Sequence, residues 1–61
     1  MKILMSVNEA SKAFGISRGR LYELCATDET MPIIKVGTHT KINTKLFQEW
    51  LDNKTRKREP L

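Results

Sequence analysis

Cysteine is almost missing: Cys25 is the only one among 61 residues, which excludes an internal disulfide. His39 is the only histidine, so no Cys/His cluster is available to hold a structural zinc. Long hydrophobic runs are lacking as well. The opening "MKILMS" is far shorter in apolar residues than the ~7–15 of a signal peptide. Nothing approaches the ~18 of a membrane helix. A cytoplasmic chain with no membrane partner is therefore expected. Neither a nucleophile–base pair nor a metal set is present, and the chain is too short to enclose a substrate cavity, so an enzyme is not expected. Nor is a small-molecule cofactor.

What is there fits one domain. A chain of this length buries only ~60% of the surface its unfolded form exposes, so stability must come from a single apolar core. The formal charge of +4 is unevenly spread. "KTRKR" (54–58) holds four of the eleven cations, and seven cations face six acids over residues 1–53. A polyanionic partner is thus suggested by the tail and by local clustering, not by the body as a whole.

Ser6 to Glu9 spells S-x-x-E, a capping box ahead of an apolar run. It predicts a first helix with Val7, Ala10, Ala13 and Phe14 on one face, closed by Gly15 in the left-handed conformation. Ser17 is the predicted cap of a second helix, with Ile16 packing back on Leu21 as a hydrophobic staple. Its buried stripe is Leu21, Leu24 and Cys25, and the opposite face carries Gly19, Tyr22, Glu23 and Ala26. The pattern dissolves in "TDETMP", where Met31 and Pro32 are read only as leading into the next strand.

"IIKVGTHTKI" (33–42) places two short β-rich runs around Gly37: Ile34 and Val36 alternate with Lys35, and Thr40 and Ile42 with Lys41. This predicts a β-hairpin with "GTH" at its tip. Thr44 or Asn43 then caps a third helix with Leu46, Phe47, Trp50 and Leu51 at helical spacing. Phe47 and Trp50 are the expected core anchors. The order predicts a mainly α domain with a small β-hairpin: a winged helix-turn-helix made of helix-turn-helix, two-stranded wing and C-terminal helix. The domain is expected over 1–53, and a basic tail over 54–61 is expected to be disordered in isolation. That tail reads equally as a solubilising end or as a tether for phosphates, a recombinase or a neighbouring copy.

In a DNA-reading helix-turn-helix, two helices meet across a short turn that often contains Gly. Gly15 is that turn, and the small Ser11 four positions earlier permits close approach. Base-edge contacts come from the N-terminal residues of the second helix, here Ser17, Arg18, Gly19 and Arg20. Arginine pairs in bidentate fashion with guanine O6 and N7. Cations in a first helical turn oppose the helix dipole at ~0.3–1 kcal/mol each, a cost that makes sense beside a polyanion. Gly19 lets the backbone approach DNA, and Tyr22 is placed for a phosphate or sugar contact. A solvated cationic helix end is the bland alternative for "RGR" alone. The turn, the apolar spacing and the hairpin together favour DNA.

Three stretches, "MSVNEASKAFGISRGRLYEL", "MPIIKVGTHTKI" and "FQEWL", make the chain resemble the small excisionase-type, MerR-like winged helix-turn-helix modules of phages and mobile elements. The resemblance spans most of residues 5–53. It implies that the second helix enters the major groove through Ser17, Arg18, Arg20 and Tyr22. It also implies a wing at the backbone or minor groove through Gly37, Thr38, His39, Thr40 and Lys41. Two departures stand out. The wing tip reads Thr38, His39, Thr40 where arginines are typical, leaving Lys41 and neighbouring Lys35 to supply charge. Glu23 replaces a residue that is often basic, and it can repel phosphate, pair within the protein, or accept from cytosine N4.

His39 has no ligand partner at metal spacing, so an exposed loop histidine is expected. Cys25 is expected to act as a small hydrophobe. The function these residues imply is sequence-specific binding of double-stranded DNA by an excisionase-like accessory factor of site-specific recombination. Such a factor would work with an integrase or with neighbouring copies on DNA, in the bacterial cytoplasm at the nucleoid. Two alternatives stand beside it: a small transcriptional regulator using the same surface, which would more usually carry a dimerisation helix after Asn53, and a protein-interaction module that has lost DNA binding.

Overall fold

Ser6 starts the first helix as its sequence requires. In the computed structural model, which describes residues 2–61, its Oγ accepts from the Glu9 N–H at 3.2 Å, and the Ser6 N–H donates to Glu9 Oε1 at 3.1 Å. Met1, the first residue of the expected domain, lies outside the described residues. Helix α1 (Val7–Phe14) ends at Gly15, whose φ of 70° lets its N–H turn back to the Ser11 carbonyl. A side chain at that φ would crowd the following carbonyl, so glycine is the residue the turn needs. Ser11 does more than stay small: its hydroxyl donates to the Ile16 carbonyl at 2.6 Å and ties the end of α1 across the turn.

Helix α2 (Arg18–Thr27) is capped by Ser17, which accepts from the Arg20 N–H. It ends at Asp28, whose carboxylate takes the N–H and hydroxyl of Thr30. Those two bonds hold the Asp28 pKa below the usual carboxylate range. The sheet has order β1-β3-β2, with β1 at Leu4–Met5, β2 at Ile33–Val36 and β3 at His39–Asn43. Helix α3 (Thr44–Lys57) follows β3 directly, with Asn43 as its cap accepting from the Leu46 N–H.

The winged helix-turn-helix architecture is present, with three differences from the sequence expectation. The sheet has three strands, not two, because Thr44 draws the N-terminal segment in. Its buried hydroxyl donates to the carbonyls of Lys2 and Ile3, and its N–H donates to Ile3 at 2.7 Å. This holds Leu4 opposite Asn43 and Met5 opposite Ile42. The hairpin tip is Gly37–Thr38, since His39 already pairs with Val36 in the ladder. A two-residue loop with φ of 64° at its first residue matches the glycine-first hairpin turn. Finally, α3 does not stop at Asn53 but runs to Lys57. Arg58 closes it in a left-handed conformation, the Glu59 N–H bonds back to the Lys54 carbonyl, and Leu61 packs against the core.

The core unites Val7, Ala10, Leu21, Leu24, Met31, Ile42 and Phe47. Phe47 is its hub, fully buried, with Phe14 edge-on at 4.9 Å and Trp50 stacked at 5.5 Å. Trp50 is half-buried, and its ring N–H donates to Thr30 Oγ1. Met31 is a core residue rather than a mere lead-in to β2, and Ala13, expected on the buried face of α1, is exposed. With eight residues in α1, the stripe of Val7, Ala10 and Phe14 suffices to meet α2 and leaves Ala13 beyond the contact. Cys25 is half-buried against the core, and burial raises its thiol pKa.

Candidate nucleic-acid interface

The first turn of α2 carries two cations and no acid. Ser17, Arg18, Gly19 and Arg20 are all exposed. The Arg18 guanidinium reaches back to α1, where Nη1 donates to Asn8 Oδ1 at 3.0 Å. That of Arg20 turns along its own helix, with Nη1 2.7 Å from Glu23 Oε1. Between them, a Cβ on Gly19 would meet no atom within 4 Å beyond its chain neighbours and its own helix backbone. Nothing inside the protein therefore requires glycine at that position, unlike at Gly15.

Next along the same face stands Tyr22, 55% exposed. It borders a shallow groove whose other walls are Val7 of α1, Cys25 and Ala26 of α2, and Ile33, Lys35 and Thr40 of the hairpin. The register explains the pairing of helix and wing. Ile33 lies opposite Ile42, and Lys35 opposite Thr40, so these four share the face turned to the helices. Ile34 with Lys41 and Val36 with His39 occupy the other face. The alternation of Ile34 and Val36 is real, but their face is the outer one, with Ile34 49% and Val36 47% exposed. β2 is the edge strand of the sheet, and the side chains on its outer face stay open to solvent.

Of the residues singled out in the sequence, the fold thus gathers Ser17, Arg18, Gly19, Arg20 and Tyr22 on one end and face of α2. It sets Lys35 and Thr40 across the groove from Tyr22, and Gly37 and Thr38 at the hairpin tip. It does not bring His39 and Lys41 to that groove; they lie on the outer face. His39 sits in strand β3 rather than in the loop, and is exposed. Among the described residues, no carboxylate forms an ion pair with Lys35 or Lys41. Sequence reasoning overlooked Asn8. Its only signal was a polar residue early in α1, and its nearness to Arg18 depends on how the two helices cross.

The described residues contain no group of three metal-ligating side chains and no helix long and apolar enough to cross a membrane. Neither a curated protein nor a solved structure matches the chain. A family model does, over residues 4–55, from β1 to the last turns of α3. Capped helix, glycine turn and a second helix with an exposed cationic start thus lie inside a match covering most of the molecule, and the chain belongs to the helix-turn-helix domain family, whose fold binds double-stranded DNA.

Proposed function

We propose that this protein binds double-stranded DNA sequence-specifically as an excisionase-like accessory factor of site-specific recombination, placing α2 in the major groove and the hairpin against the neighbouring backbone. The observation that carries the DNA-reading part is the start of α2: two exposed arginines flank a glycine that no internal packing demands. Arg18 and Arg20 are assigned to base edges, Ser17 and the free N–H groups of the first turn to phosphate. Gly19 admits the backbone. Tyr22, Lys35 and Thr40, which share the groove between helix and wing, take the sugar–phosphate strand that runs between them. Gly37 and Thr38 bring the wing tip to the duplex, with His39 and Lys41 touching phosphate from the outer face. The recombination role rests on the resemblance of the motif stretches, and an integrase or neighbouring copies are the partners it implies.

The test is a titration of labelled duplexes at two salt concentrations, using the tightest sequence recovered from a randomised pool and a shuffled control. Arg18→Ala should cost the selected duplex about 5- to 150-fold, in line with loss of one bidentate base pair contact, and the control far less. Lys35→Ala should weaken both alike and lower the salt slope by about 0.9. Equal losses on both duplexes for Arg18→Ala would remove it as a base reader. The recombination role is tested, where a neighbouring reading frame encodes an integrase, by adding the protein to an excision reaction run by that integrase. Binding without stimulation there would favour transcriptional control through the same surface.

A further inference from the structure

We infer that Asn8 and Glu23 are specificity-determining positioning residues, which hold the Arg18 and Arg20 guanidinium groups in the orientation that meets base edges. The inference rests on the reading of α2 given above and names the residues that set its selectivity. Both arginines engage through Nη1 alone, at 3.0 Å to Asn8 Oδ1 and 2.7 Å to Glu23 Oε1. A guanidinium carries five N–H donors in a planar fork. Using one edge for an internal partner leaves Nη2 and Nε free as the pair that matches guanine O6 and N7.

Folding does not account for either bond. The Arg20 and Glu23 side chains are 44% and 59% exposed, and exposed ion pairs add little to stability. Asn8 and Arg18 are exposed too. What the bonds do is restrict two long side chains that otherwise lose much rotamer freedom when they bind. Each anchor comes from a different place. Asn8 stands on α1 and ties Arg18 across the helix-turn-helix, whereas Glu23 lies one turn along α2. Glu23 also puts a carboxylate on the face that meets a polyanion. A like charge there lowers attraction to any phosphate backbone, so Arg20 gains from DNA only where a base edge repays it. Selectivity then comes from a repulsive element as well as an attractive one.

The experiment measures affinity for the selected and shuffled duplexes with Asn8→Ala, Glu23→Ala, Arg18→Ala, Arg20→Ala and the matched double variants, beside thermal melts of each. Asn8→Ala should cut the ratio of selected to shuffled affinity by about threefold to tenfold, mainly on the selected side. Glu23→Ala should reduce the ratio similarly while raising shuffled-duplex affinity about twofold, since one repelling charge is gone. Neither change should add to the loss in the background lacking its own arginine, a coupling that a general structural defect would not produce. Asn8→Asp keeps the acceptor and should keep the ratio.

If Asn8→Ala and Glu23→Ala leave the ratio at the wild-type value while Arg18→Ala and Arg20→Ala collapse it, the positioning role is wrong and the reading of α2 stands. If the arginine variants themselves preserve the ratio, that reading falls and takes this inference with it. Losses that simply add in the double variants, or an Asn8→Asp ratio as poor as that of Asn8→Ala, also overturn it.

Discussion

Gly15 and Gly19 lie four residues apart, yet the fold asks different things of them. Gly15 has a positive φ, so a side chain there is strained whatever the space around it. Gly19 sits in ordinary helix with open space about it, and it weakens that helix by up to ~1 kcal/mol relative to alanine. Gly19→Ala is therefore expected to raise the melting temperature, by about 4–8 °C for each kcal/mol gained in a domain of this size. DNA affinity should fall at the same time, by about threefold or more, because a methyl group now separates backbone from duplex. Melting curves and duplex titrations on the same preparation check both signs. A variant more stable and equally tight would show that Gly19 has no part in binding. Arg18 and Arg20 differ in a similar way: the sequence marks both as cations at a helix start, but only the crossing of α1 and α2 reveals that Asn8 holds one of them.

The elements begin and end where local chemistry tells them to, and the capping box of α1 has a measurable pH signature. Glu9 accepts from the Ser6 N–H and from Lys2 Nζ at 3.0 Å, and these bonds lower its pKa to about 2, the backbone bond contributing most. An ordinary glutamate titrates near 4.3. Because the folded value is the depressed one, the stabilisation is complete above the unfolded value and is lost as pH falls toward about 2. Wild type should melt higher than Glu9→Gln near neutral pH, and the gap should close progressively below about pH 4. A gap that stays constant down to pH ~2 would deny the charged capping box its role. At the other end of the chain, Arg58 adopts φ 54° where glycine is at ease. Arg58→Gly should stabilise α3 by about 1 kcal/mol, read as a higher melting temperature. These boundaries also show what the sequence could reveal. Ser6, Glu9, Gly15, Ser17 and Gly37 act through neighbours a few residues away, so α1, α2 and the hairpin were legible. Strand β1 was not, because two residues pair only after Thr44 has been carried some forty positions through the fold to meet Ile3. The outward turn of Ile34 and Val36 was hidden for the same reason: alternation gives two faces, and only packing says which is covered.

At the scale of the whole molecule, margin is the governing quantity. A chain of this length is worth about 3–9 kcal/mol in total. Phe47 alone, truncated to alanine, costs about 3–5 kcal/mol, so that variant should lose a large share of the total and melt far below wild type. The C-terminal segment is part of the same account. Lys54 lies 5.1 Å from the Trp50 ring centroid and pairs with Glu59 at 3.1 Å, while Leu61 rests on the core. Read as a loose basic tail, residues 54–61 could be removed with no effect but a loss of charge. Read as the end of α3 and a return onto it, their removal takes away a cation–π contact, a helical turn and a partly buried leucine, about 2 kcal/mol in all. Truncation after Asn53 should then lower the melting temperature by roughly 8–16 °C. Arg56→Gln separates the two effects. Arg56 is exposed and makes no ion pair among the described residues, so its loss should leave the melt unchanged. If the segment also lies along DNA, that variant should weaken selected and shuffled duplexes equally, with a salt slope smaller by about 0.9. A truncated chain that melts with the full one would return the segment to the role of a tail. A truncated chain that melts earlier, beside an Arg56→Gln protein that binds as wild type, would make it a structural brace and nothing more.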